Sequence, residues 1–91
     1  MGYSFKTVIK NKLGIHARTA ATLSKTVSKY NAEAYILYHG NSVNIQHLLD
    51  VVALSITENA EIEINIEGKD AQICGIELQR LIENNFGELL W

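Results

Sequence analysis

Three isoleucines at strict two-residue spacing, Ile62, Ile64 and Ile66, alternate with Glu61, Glu63, Asn65 and Glu67. Side chains along a strand point alternately to opposite faces, so this segment reads as a strand with one dry face and one wet face. Gly68 ends it. A sheet containing such a strand must cover its dry side with another layer. Two segments have the period to do so. From Ala17 onward, Ala20, Leu23, Val27 and Tyr30 recur at helical spacing, with Asn31 as a stop. After Asp70, a candidate N-cap, Ala71, Cys74, Leu78, Leu81 and Ile82 do the same.

The remaining elements follow from the same two periods. Tyr3, Phe5, Thr7 and Ile9 share one face of a first strand, and Lys10 to Gly14 reads as a loop. Ala34, Ile36 and Tyr38 alternate with Glu33, Tyr35 and Leu37 in a second strand. His39-Gly40-Asn41 is turn-like, and Ser42 to Asn44 would return from it as a short third strand. Leu48 to Ile56 is apolar almost all round and reads as a short helix capped by Asn44 or Gln46. A helix apolar on several faces cannot bury them all in a chain of 91 residues, so an exposed apolar patch, and hence a partner site, is expected. The order is βαββαβα, an α+β fold with helices covering one face of a mostly antiparallel sheet. The length fits one domain, 1–91.

Composition narrows the function. A formal net charge of −2 argues against nucleic acid as partner, since phosphate neutralisation needs a basic surface. No apolar run approaches the roughly 20 residues that span a bilayer, so no membrane insertion is expected. The single cysteine, Cys74, permits neither an internal disulfide nor a metal cage, and it lies on the apolar stripe of the last helix. A cytoplasmic protein is the expectation. Nucleotide loops, dinucleotide fingerprints and nucleophile elbows are all missing, so no cofactor is expected.

Three histidines remain to be weighed. His16 stands where the loop becomes the first helix, after Leu13-Gly14-Ile15 and before Ala17-Arg18. Free N–H groups and the helix dipole make a first helical turn attractive to anions. Arg18 offers a forked, permanently charged donor to a phosphate. An imidazole that titrates near neutrality is in large part an uncharged nucleophile. That combination suits phosphoryl acceptance, which needs mostly positioning and charge stabilisation. A surface or capping histidine fits the same residues, and on these residues alone it is the more common case. His39 reads as a solvated turn residue, and His47 as a residue at the start of the second helix. Glu58, Glu61, Glu63 and Glu67 read as a wet strand face and its approach, although an acid–base or metal cluster is conceivable. Leu89, Leu90 and Trp91 leave open whether the end of the chain folds back or meets a partner.

The segment Lys12-Leu13-Gly14-Ile15-His16-Ala17-Arg18 resembles HPr, the histidine phosphocarrier of the bacterial sugar phosphotransferase system. Gly40, Val43-Asn44 and Leu48 to Leu54 are similar to the family's second block, and Ala60-Glu61-Ile62 through Gly68-Lys69-Asp70 to its third. Leu81-Ile82 and Phe86-Gly87-Glu88 resemble its closing helix. The resemblance implies the HPr-like open-faced β-sandwich, a four-stranded antiparallel sheet covered by three helices. It implies phosphorylation of His16, at Nδ1, with Arg18 steadying the phosphate. It also implies an Enzyme I-like phosphoryl donor and an Enzyme IIA-like acceptor, both docking on the first two helices, where Leu48, Leu49 and Val52 fall.

Two positions depart from the family pattern. Thr19 replaces the usual proline after the arginine, which implies a looser first turn and slower phosphorylation. His47 stands at the place of the regulatory serine, which implies that kinase control through that serine is absent. These departures leave room for a second reading, a regulatory HPr-like binding module that docks on a transcription factor or enzyme and relays no phosphate to sugar uptake.

Overall fold

The computed structural model describes residues 2–88. Leu89, Leu90 and Trp91, whose role the sequence left open, lie outside the described residues. The elements are β1 (Gly2–Val8), α1 (Ala17–Ser28), β2 (Glu33–Tyr38), β3 (Asn41–Asn44), α2 (Leu48–Ala53), β4 (Glu61–Glu67) and α3 (Ala71–Glu83), followed by a 3-10 turn over Asn85–Gly87. The four strands form one sheet in the order β1-β4-β2-β3, and every neighbouring pair is antiparallel.

The isoleucine alternation sets the register. Ile64 pairs with Phe5 on one side and Ile36 on the other, and Ile36 pairs with Val43, so one apolar row crosses the whole sheet. Ile62, Ile64 and Ile66 are buried under the helices together with Leu23 and Val27 of α1, Val51 of α2, and Cys74, Leu78 and Ile82 of α3. Burying each such side chain contributes about 1.5–3 kcal/mol, which is the main force holding helices to sheet. The opposite face carries Lys6, Glu63 and Ser4, with the Ser4 hydroxyl donating to Asn65 Oδ1 at 2.6 Å. Gly75 of α3 lets Tyr3 of β1 lie against the helix: an added Cβ would stand 2.1 Å from the tyrosine ring. Burial raises the Cys74 thiol to about 11, so it is an inert part of the core.

Several boundaries differ from the sequence expectation. α1 ends at Ser28 with Lys29 as its C-cap, short of Asn31, whose N–H instead donates to Asp70 Oδ2 at 2.8 Å. Asp70 therefore occupies the N-cap position of α3 without capping it, because its carboxylate is engaged by the chain after α1. α2 stops at Ala53, and its N-cap is His47, which makes no side-chain cap bond. Asn44 accepts from the Gln46 N–H at 2.9 Å in a local turn ahead of the helix. The hairpin turn is as read: His39 and Gly40 both have positive φ, as a two-residue hairpin loop requires. α3 ends at Glu83, so Phe86-Gly87-Glu88 lies beyond the closing helix rather than in it.

Candidate functional site

The loop before α1 is held by its own backbone. Gly14 has φ +67°, and a Cβ there would stand 2.3 Å from the Ile56 carbonyl oxygen, a position closed to any other residue without a shift. The next residue, Ile15, donates its N–H to that same oxygen at 2.9 Å. Asn11 is buried; its Nδ2 donates to the Gly14 carbonyl at 2.7 Å, while the Gly14 N–H donates to the Asn11 carbonyl at 3.1 Å. The loop is thereby pinned on both sides of the glycine, and His16 is delivered to the N-cap of α1.

His16 and Thr19 form a reciprocal cap. The Arg18 N–H donates to His16 Nδ1 at 3.2 Å, and the His16 N–H donates to Thr19 Oγ1 at 2.9 Å. Thr19 is buried, and its hydroxyl reaches the carbonyl of His16 at 3.2 Å. Thr19 lacks the preset φ of proline but makes hydrogen bonds that a proline could not make. A ring nitrogen that accepts carries no proton, so in the neutral ring the proton is on Nε2. Nε2 lies 3.1 Å from Glu88 Oε2 and donates to it. The same carboxylate oxygen receives the Arg18 guanidinium through Nη2, and Oε1 accepts from Asn11 Nδ2 at 2.9 Å. The Arg18 guanidinium, with Asn11 and His16 beside it, holds the Glu88 carboxyl below the usual carboxylate range despite partial burial.

His16 and Arg18 are thus brought together as the sequence suggested, with 28% of the His16 side chain and 70% of the Arg18 side chain exposed. Sequence reading missed Asn11, Thr19 as a cap, and Glu88. Glu88 lies 72 residues from His16 along the chain, and only tertiary folding joins them. The apolar patch is present in modified form. Leu49 is 86% exposed and Leu48 39%, while Val52 is half-buried against the core. Leu13, just before Gly14, adds a further exposed leucine that the sequence reading did not assign. His47 lies 3.8 Å from Asp50 through Nδ1 and Oδ2, with both side chains exposed. His39 stacks on Tyr38 at 3.9 Å in the hairpin turn, away from this site.

Comparisons with known proteins bear on the family of the chain. The family described as PTS-HPr, the PTS HPr component phosphorylation site, matches residues 3–84. The phosphocarrier protein HPr of Xylella fastidiosa (strain 9a5c) is 33% identical over 81 residues, spanning 89% of this chain and 91% of that protein. The crystal structure of HPr-C-His from Thermoanaerobacter tengcongensis superposes with a TM-score of 0.91 at 31% identity, covering 97% of this chain and 99% of that one. The phosphocarrier protein HPr of Bacillus anthracis (strain Ames) superposes with a TM-score of 0.83 at 25% identity, over 89% of this chain and 96% of that one. With fold, order of elements and sequence all matching along nearly its whole length, the chain belongs to the HPr family, the phosphocarriers of the phosphotransferase system.

Proposed function

We propose that His16 Nδ1 accepts a phosphoryl group from an Enzyme I-like donor and passes it to an Enzyme IIA-like acceptor, with Arg18 steadying the group in transit. The observation that carries this reading is the aim of Nδ1: it is unprotonated and faces the N–H of Arg18 in the first turn of α1. The Nδ1 lone pair forms the new N–P bond, the bond from phosphorus to the donor breaks, and its electron pair stays with the donor. The Arg18 N–H that had held Nδ1 is then free to bond a phosphoryl oxygen, at the helix end where negative charge is favoured. The Arg18 side chain, well exposed, would release Glu88 Oε2 and turn its guanidinium to the same group.

Docking of both partners is assigned to the exposed start of α2, with Leu48, Leu49 and the accessible part of Val52, and to the exposed Leu13 three residues before His16. An apolar patch beside a chemically competent site fits a carrier that must seat two proteins in turn. Among the described residues no helix is long and apolar enough to cross a membrane. The cytoplasm is the proposed compartment, following from the two proposed partners.

The test is phosphotransfer in vitro. The chain is incubated with an Enzyme I, phosphoenolpyruvate and Mg²⁺ and read by intact mass, beside a His16→Ala control. The expected result is the gain of one acid-labile phosphoryl group that the control lacks. A folded protein that gains none with several Enzyme I donors would contradict the reading.

A further inference from the structure

The segment after α3 does more than end the fold. Asn85, Phe86 and Gly87 all have positive φ, at 56°, 57° and 74°, and Phe86 packs against the core. This sharp bend turns the chain back and sets Glu88 against the ring of His16. The carboxylate is fully used: Oε1 is held by Asn11, and Oε2 is shared by His16 Nε2 and Arg18 Nη2. Glu88 is half-buried, with 14% of its side chain exposed, so water screens its charge only in part.

Taking His16 as the acceptor, we propose that Glu88 is a positioning residue for phosphoryl transfer, occupying Nε2 so that only Nδ1 is open and supplying the counter-charge for the ring once Nδ1 is phosphorylated. The electron count requires such a charge. In the resting ring Nε2 carries the proton and Nδ1 the free pair. When that pair forms the N–P bond and no proton leaves, the ring becomes a cation that still holds its proton on Nε2. That proton points at Glu88 Oε2, 3.1 Å away in the resting state. A fixed carboxylate beside a ring that gains positive charge during the reaction stabilises the charged form. Arg18 can then turn to the phosphoryl group, since the charged ring takes its place as the cationic partner of Glu88. Among the described residues, the one charged group paired with this ring is Glu88; the Arg18 guanidinium pairs with Glu88 and reaches the ring only through its backbone N–H, and Asp50 of α2 pairs with His47.

The test uses the full chain and phosphoramidate, which can phosphorylate imidazole without a partner protein. The phosphorylated nitrogen is identified by ¹⁵N and ³¹P NMR, and the phosphorylated ring is then titrated. Wild type is expected to give the Nδ1 product alone. Glu88→Ala, which opens Nε2, is expected to give the Nε2 product as well. Glu88→Gln keeps an acceptor for the Nε2 proton and retains Nδ1 selectivity. Without the charge, however, its phosphorylated ring should lose its proton about one pH unit lower than in wild type. Selectivity retained in Glu88→Gln but lost in Glu88→Ala separates the loss of the Nε2 acceptor from general disruption of the site. Nδ1 product alone from folded Glu88→Ala, or an unchanged titration in Glu88→Gln, would overturn the proposal. Because no Enzyme I is used, failure of the carrier reading would show separately, as lack of uptake from a protein donor.

Discussion

The starts of α1 and α2 are built by opposite means. α1 begins in a pinned loop, with a buried asparagine, a glycine that admits no side chain, a reciprocal cap and a carboxylate fetched from the far end of the chain. α2 begins with an uncapped, exposed histidine followed by two exposed leucines. The first arrangement fixes the proposed nucleophile to within hydrogen-bond tolerance. The second fixes little and leaves apolar surface bare. Chemistry needs the former, because phosphoryl transfer depends on alignment. A surface proposed to accept two different partners is served by the latter.

The contrast can be broken at several points. Gly14→Ala combines a left-handed φ with a Cβ pressed on the Ile56 carbonyl, and should cost about 3 kcal/mol or more in a denaturant titration. Asn11→Ala removes the donor shared by Gly14 and Glu88 and should cost about 1–2 kcal/mol, with a fall in the rate of phosphoryl uptake. No comparable loss is expected from Leu49→Glu, whose stability should stay within about 0.5 kcal/mol of wild type.

Acid should act on the first helix start through Glu88. Its folded carboxyl is held below the ordinary range, so the stability it contributes is present above the unfolded carboxyl value and is lost as pH falls through the folded one. The difference in melting temperature between wild type and Glu88→Gln should therefore be largest near neutrality and close below about pH 4, the unfolded glutamate range. The smallest effect is reserved for the second start. His47→Ser supplies the missing cap and should raise stability by about 0.5–1 kcal/mol without slowing phosphoryl uptake.

The legible parts of the sequence were those with a local cause. Ile62, Ile64 and Ile66 declared a half-buried strand because the period of two admits little else, and the sheet's register follows from them. His16 and Arg18 could be placed at a helix start because the change of period lies beside them. Leu49 could be placed on an exposed face because a short helix has more apolar sides than the core can cover. Ends of elements were harder: Asn31 and Asp70 bond to each other across two loops, so neither acts as the helix signal it resembles. Glu88 had no local signature linking it to the site. Its role depends on three consecutive positive φ values that turn the chain back after α3, two of them at residues other than glycine. Asn11 likewise reads as a loop asparagine until burial shows what it holds.

The division between a chemical start and a docking start is tested most directly by the steady-state kinetics of phosphoryl uptake from Enzyme I, with this protein as the varied substrate. Arg18→Met should lower kcat about tenfold with little change in KM, the loss expected when a charged contact to the transferring group is removed. Leu49→Glu should raise KM about tenfold and leave kcat unchanged, the pattern of a contact that only binds. If both variants moved the same parameter, or if Leu49→Glu lowered kcat alone, the two helix starts would not hold separate roles.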